Sequence, residues 1–193
     1  MRERKSNRLK EYDYTTEGYY FITICVDDRM KCLGEIREKV MVLNIYGEIV
    51  KQQWLWLARQ YDYVQLGEFI VMPNHLHGIV GNGRDRSVRE SGCPVKSLPG
   101  LMGAFKTTSS KMIHLAGLSE FRWHKSFYDH IIRNENDLCR IRQYIRHNPA
   151  QWEQDEENWA LANGESRERS RPFRTGIRMP CEVSYPLRLD DKI

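Results

Sequence analysis

Phe69-Ile70-Val71-Met72-Pro73-Asn74-His75-Leu76-His77-Gly78-Ile79-Val80 is the stretch that decides how this chain folds. Its β-branched and apolar residues predict an extended strand, interrupted near Met72-Pro73-Asn74 by a bend or bulge. Residues two apart on a strand point the same way, so His75 and His77 present two imidazoles from one face. Leu76 and Val80 point the other way, into apolar packing. Two neutral imidazoles side by side make half of a divalent-metal site and need a further ligand from elsewhere. The competing reading is a pair of unrelated histidines, one on a hydrogen-bonded edge and one in a loop.

Upstream, Tyr19 to Val26 is apolar on both faces and predicts a central strand covered on both sides. Cys32 to Ile36 and Val40 to Leu43 predict a hairpin around the charged Arg37-Glu38-Lys39. Asn44 can cap a helix running to about Gln60, with Ile45, Ile49, Gln52/Gln53 and Trp56 at near-helical spacing. Val64 to Val80 returns as strand. Gly81 to Ser97, rich in Gly, Ser, Arg and Asp, is expected as a mobile loop. A second helix is predicted over Leu98 to Leu115, ended by Gly117, followed by a short strand over Phe127 to Ile132. Asn134 caps a last helix with Leu138, Ile141 and Ile145 in one stripe, and Pro149 stops it at Asn148. The order of elements suggests an α+β domain with a ferredoxin-like antiparallel sheet of the split βαβ kind and flanking helices. The domain is expected over residues 1–152, with 153–193 an extended C-terminal tail.

At 193 residues the chain suffices for one domain with a proper core. Charged residues are 29% and apolar ones 40%, an ordinary soluble composition. The net charge of +4 is unevenly placed: residues 1–12 hold five Lys/Arg against two Asp/Glu, and residues 101–152 hold eight against four. Basic charge gathered this way suits a polyanionic partner, although solvated surface charge explains most single patches. No apolar run reaches the roughly 18 residues that span a bilayer, and Met1-Arg2-Glu3-Arg4-Lys5 lacks the apolar run of a secretory signal. Five cysteines without a Cys-x-x-Cys pair read as reduced thiols, and so as cytoplasmic, with no membrane partner.

On the last helix Tyr144 and Asn148 lie about 40° apart, stacked one turn above the other. If this helix covers the histidine face, two imidazoles, an amide oxygen and a phenol meet at one place: a three-ligand cation site with a nucleophile beside it. A phenol of free pKa about 10 is a weak nucleophile at neutral pH until a cation or base stabilises its anion. A divalent metal also neutralises charge developing on a phosphodiester. The bland alternatives are a core-border tyrosine and a helix-end asparagine before proline. Asp129 and His130 are secondary candidates, for a metal-supporting shell or a plain strand-end hydrogen bond.

Three motifs now stand in order: Met72-Pro73-Asn74-His75-Leu76-His77, then Trp123-His124-Lys125-Ser126-Phe127-Tyr128-Asp129-His130, then Tyr144-Ile145-Arg146-His147-Asn148-Pro149. Over about residues 5–152 the chain resembles the REP-associated tyrosine transposases, a branch of the single-tyrosine HUH transposases. The resemblance implies a ferredoxin-like domain that cleaves and rejoins single-stranded DNA at hairpin-forming repetitive palindromes. It implies His75 and His77 as ligands of Mg²⁺ or Mn²⁺ and Tyr144 as the residue joined to a 5′ phosphate. Asn148 stands where related insertion-sequence transposases carry glutamine, and His124 stands where the family usually has Gln. The DNA partner implies a nucleoid-associated protein. Monomer and homodimer both remain open.

Basic residues are the candidates for holding DNA. Lys106 and Lys111 belong to the second helix, Arg122 and Lys125 flank the middle motif, and Arg142 and Arg146 form a strip beside Tyr144. Arg2, Arg4, Lys5 and Arg8 form an amino-terminal arm that could enter a groove of the hairpin stem. The rival function is a non-catalytic nucleic-acid-binding module of ferredoxin-like fold, but no aromatic-Gly-aromatic motif sits on a central strand. A metallohydrolase barrel would need about 250 residues.

Overall fold

In β1 (Gly18–Cys25) the side chains of Tyr20, Ile22 and Ile24 are all buried toward one face, and Phe21 and Thr23 toward the other. A strand apolar on both faces must lie inside a sheet and be covered twice. The protein, seen as a computed structural model, is described over residues 18–82 and 96–154. The sheet order there is β4 (Val64–Val71), β5 (His75–Asn82), β1, β6 (Tyr128–Ile132), every pairing antiparallel. With α1 (Ile45–Gln60) between β1 and β4, and α2 (Leu98–Leu115) between β5 and β6, this is the split βαβ arrangement expected from sequence. The fold class is α+β.

β2 (Gly34–Arg37) and β3 (Val40–Leu43) form the expected hairpin, as a separate two-stranded sheet. α1 and α2 pack on the face carrying Tyr20, Ile22, Leu76 and Val80. α3 (Glu135–His147) packs on the other, where Leu138, Ile141 and Ile145 meet Phe21 and Ile79. Asn44 caps α1 by accepting from the amides of Tyr46 and Gly47, and Asn134 caps α3 by accepting from Asp137. α2 closes at Gly117, whose φ of +105° few other residues adopt.

Several expectations need correction. Val64 to Val80 is not one bent strand: the chain reverses at Met72-Pro73-Asn74, the Met72 amide donating to the His75 carbonyl at 2.8 Å, so β4 and β5 are hairpin partners. β5 runs on to Asn82, past the expected loop start, and most of that loop lies outside the described residues. α1 buries Gly47, Val50, Trp54 and Leu57, while Ile45 is 63% exposed and Ile49 and Trp56 only border the core. The reason is Gly78 on β5, whose bare backbone admits the Trp54 ring directly. α3 ends with Asn148 as its C-cap, as expected, but Asn148 keeps α-region dihedrals and an unforeseen 3-10 helix follows over Asn148–Gln154. Proline is tolerated in a first turn, so Pro149 restarts the path instead of breaking it.

Cys25 and Cys32 are free thiols, but Cys139 is disulfide-bonded, against the expectation of five reduced cysteines. No helix among the described residues is long and apolar enough to cross a membrane. The arm bearing Arg2, Arg4, Lys5 and Arg8, and the tail after Gln154, lie outside the described residues.

Candidate functional site

The alternation of β5 puts Leu76 and Val80 into the large core and both His75 and His77 on the α3 face, each fully buried. The rings lie 4.4 Å apart between centroids and the two Nε2 atoms 3.0 Å apart. Neighbours fix their orientation. The Asn74 Nδ2 donates to the Arg29 carbonyl at 3.3 Å, so its Oδ1 must be the acceptor for His75 Nδ1–H at 2.8 Å. That leaves a lone pair on His75 Nε2. His77 Nδ1 lies 2.8 Å from the Thr23 hydroxyl, on the strand facing it in register. Burial lowers both basicities: His77 falls to about 3, and His75 falls well below its ordinary value through burial, with the nearby charges of His77 and Arg29 adding to it. Both imidazoles are therefore neutral at pH 7, the form that binds metals.

Two nitrogens at about 2.1 Å from one divalent cation, at right angles, would sit about 3.0 Å apart. The observed separation of 3.0 Å meets that requirement. Asparagine below fixing His75 Nδ1 and threonine beside His77 Nδ1 are the supports such ligands need.

α3 brings the phenol. The Tyr144 hydroxyl lies 3.3 Å from His77 Nε2, with the rings 5.2 Å apart, and Phe21 meets Tyr144 edge-on at 5.9 Å. Burial has lowered the basicity of His77, which makes it a poor acceptor for this proton at neutral pH. Four residues on, Asn148 is 2% exposed and its Oδ1 is buried without a hydrogen-bond partner. An orphaned buried oxygen costs about 1–3 kcal/mol unless a donor or a cation reaches it. Further along, the Trp152 ring lies 6.0 Å from that of His75. The segment thus touches His77 through Tyr144 and His75 through Trp152, with the orphaned amide between them in sequence. Among the described residues no cluster of three or more His, Cys, Asp or Glu could hold a metal, so a third ligand from these residues would be of another type. Asn148 Oδ1 fits as a hard oxygen donor.

The basic residues divide. Arg142 and Arg146 both reach Glu68 of β4 at 2.7 Å, so one carboxylate offsets two guanidinium groups. Lys106 donates to the carbonyls of His124 and Ser126 and lies over Phe127 at 5.6 Å, pinning α2 to the segment before β6. Lys106 and Lys111 lie on α2, the second helix expected from sequence, which covers the sheet face opposite the histidines. Arg122 and Lys125 are exposed, on the segment whose Trp123 bridges Val26 beyond the end of β1. His130 bonds Asp137 at 2.8 Å, and Asp137 bonds Arg140 at 3.1 Å, tying β6 to α3. Thr23, Arg29, Glu68 and Trp152 carried no role in the sequence reading. Thr23 alone left a trace, as a hydroxyl within an otherwise apolar strand.

No protein-family model matches the chain. It is 35% identical over 168 residues to an uncharacterized protein of Haemophilus influenzae strain Rd, an alignment spanning 81% of this chain and 93% of that protein. Among solved structures it is similar to a REP-associated tyrosine transposase bound to a REP hairpin, with a TM-score of 0.50 and 18% identity, covering 86% of this chain and 98% of the other.

Proposed function

From the premise that this chain belongs to one family with the Haemophilus influenzae protein and has the fold of a REP-associated tyrosine transposase, we propose that it is a metal-dependent single-stranded DNA endonuclease and strand transferase, a transposase acting at hairpin-forming palindromic repeats. One observation carries this reading: a phenolic hydroxyl 3.3 Å from the nearer of two buried, converging imidazole nitrogens. Nothing in a structural histidine pair calls for that convergence.

In this reading Tyr144 Oη forms a bond to the scissile phosphorus as the bond from phosphorus to the 3′ oxygen breaks. The phenolic proton leaves to solvent, the departing 3′ oxygen takes one up, and the 5′ phosphate stays on Tyr144. A DNA 3′-hydroxyl later reverses the step. His75 Nε2, His77 Nε2 and Asn148 Oδ1 would hold the cation, Mg²⁺ or Mn²⁺, and when bound it neutralises phosphate charge and stabilises the phenolate. Asn74 and Thr23 orient the imidazoles, and Phe21 holds the Tyr144 ring edge-on. Such a substrate locates the activity to the cytoplasm, at the nucleoid.

Incubation of the protein with labelled hairpin-bearing single-stranded DNA and Mg²⁺ or Mn²⁺ is expected to give a denaturant-resistant adduct that Tyr144→Phe abolishes. An adduct of undiminished yield with Tyr144→Phe, or none with the native protein on any palindromic repeat, refutes the proposal.

A further inference from the structure

On the His75 side of the pair, opposite Tyr144, lies a group of side chains that the reaction above leaves unused. The Trp152 ring is half-buried, 6.0 Å from His75. The exposed Lys31 holds its ammonium 5.4 Å above the Trp152 ring. Arg29 is near enough to His75 for its charge to be felt there.

These residues are held firmly in place. The turn over Asp27–Arg29 places both Asp28 and Arg29 at φ +51°, a left-handed conformation costing on the order of 1 kcal/mol or more for each side chain. Surrounding bonds maintain it: the Val26 amide donates to the Asn74 carbonyl at 2.8 Å, the Leu33 amide to the Pro73 carbonyl at 3.0 Å, and Asn74 Nδ2 to the Arg29 carbonyl. The turn that carries Arg29 and leads into Lys31 is thus stitched to the turn that carries the histidines.

We propose that Trp152, Lys31 and Arg29 form a subsite for one unpaired nucleotide adjoining the scissile phosphate, its base stacked on Trp152 and its phosphate on the two cations. The inference rests on the transposase reading and adds to it a binding position on the side away from the nucleophile. Base stacking on an aromatic ring is a stronger contact than an exposed ammonium over the same ring. In the proposed complex the base takes the place of the Lys31 ammonium on Trp152, and the flexible stem of Lys31 carries it to the phosphate attached to that base.

The test uses the full chain carrying Tyr144→Phe, so that binding is read without cleavage. The probe is a fluorescein-labelled hairpin with a single-stranded flank, alongside a series in which each flank position in turn is abasic. Trp152→Ala is expected to weaken binding of the intact probe on the order of 5- to 100-fold, the range one stacked base provides. One abasic position should reproduce that loss, and on that probe Trp152→Ala should add nothing. Trp152→Phe should retain most of the affinity, and Lys31→Gln should reduce the slope of log affinity against log salt by about 0.7. Undiminished affinity with Trp152→Ala overturns the subsite, as does an equal loss on every abasic probe, which would reduce Trp152 to packing against His75. Should Trp152→Ala fail to fold, a parent protein indifferent to every abasic position overturns it equally. A parent that binds no single-stranded probe refutes the proposed function itself, and the two failures are thereby separate.

Discussion

Replacing Gly78 by alanine tests whether Trp54 rests directly on the strand that carries the histidines. A Cβ at this position would lie 2.4 Å from Trp54 Cζ2, 3.0 Å from Cε2 and 3.2 Å from Cη2. Carbon atoms in contact prefer about 3.5–4.0 Å, so the ring would have to retreat by more than about 1 Å. It has nowhere to go: Trp54 is fully buried, Phe105 meets it edge-on at 5.3 Å and Phe69 lies at 6.3 Å. Overpacking costs about 1–3 kcal/mol, and a rigid ring backed by a second ring belongs at the upper end. Alanine recovers about 0.5–1 kcal/mol of backbone entropy relative to glycine in a strand. The net expectation is a loss of about 2 kcal/mol, or roughly 4–8 °C in Tm for a chain of this size. Urea unfolding followed by tryptophan fluorescence measures it, and Gly78→Ala combined with Trp54→Leu should recover part of the loss. A Gly78→Ala protein with an unchanged or raised midpoint would show that Trp54 is not seated on β5.

Acid should destabilise the fold through the buried histidines. Their folded pKa values lie below the unfolded value near 6.5, His77 at about 3 and His75 well lowered, so the unfolded chain binds more protons as pH falls. The stability is fully present above about pH 6.5 and is lost progressively down toward pH 3, with His77 alone worth roughly 2–3 kcal/mol by pH 4.5. Equal pH slopes in the native protein and a His75→Gln/His77→Gln variant would refute this. Asn74→Ala removes the acceptor for His75 Nδ1–H and should raise the Mn²⁺ concentration needed for adduct formation by about 10- to 100-fold; an unchanged metal titration would show that Asn74 does not support the ligand. Glu68→Gln frees Arg142 and Arg146, and should tighten single-stranded DNA binding while steepening its salt slope by about 0.7 to 1.4. If affinity and slope both stay put, those arginines do not contact phosphate.

Most of the architecture was legible because its signals are local. The Asn44 and Asn134 caps, the stripe of Leu138, Ile141 and Ile145, and the alternation of β1 each announce an element without reference to the rest. The convergence of His75, His77 and Tyr144 was legible for a related reason, since strand and helix periodicities fix which side chains share a face. What stayed hidden depended on partners distant in sequence. Apolar residues on both sides of Met72-Pro73-Asn74 disguised a chain reversal as a bend, although Pro-Asn is a turn-forming pair. In α1 two overlapping stripes compete, and Trp54 prevails over Trp56 only because Gly78 lies opposite it. The pairing of Arg142 and Arg146 with Glu68 spans more than seventy positions, so the strip read as free positive charge is half neutralised. Trp152 escaped notice because the last helix was expected to stop at Asn148, and no local signal sets the residues beyond Pro149 against the histidines.

The two sides of the sheet are unequally furnished. Among the described residues, twenty buried apolar side chains gather on the side of α1 and α2, but only five where α3 lies. Of the helices packed on the sheet, α3 is thus the one with the least buried apolar surface holding it, and thin burial favours transient opening, while the imidazoles belong to the strand beneath. In the proposed reaction a strand end joined to Tyr144 would ride on this less deeply seated layer, apart from the layer that α1 and α2 build on the opposite side.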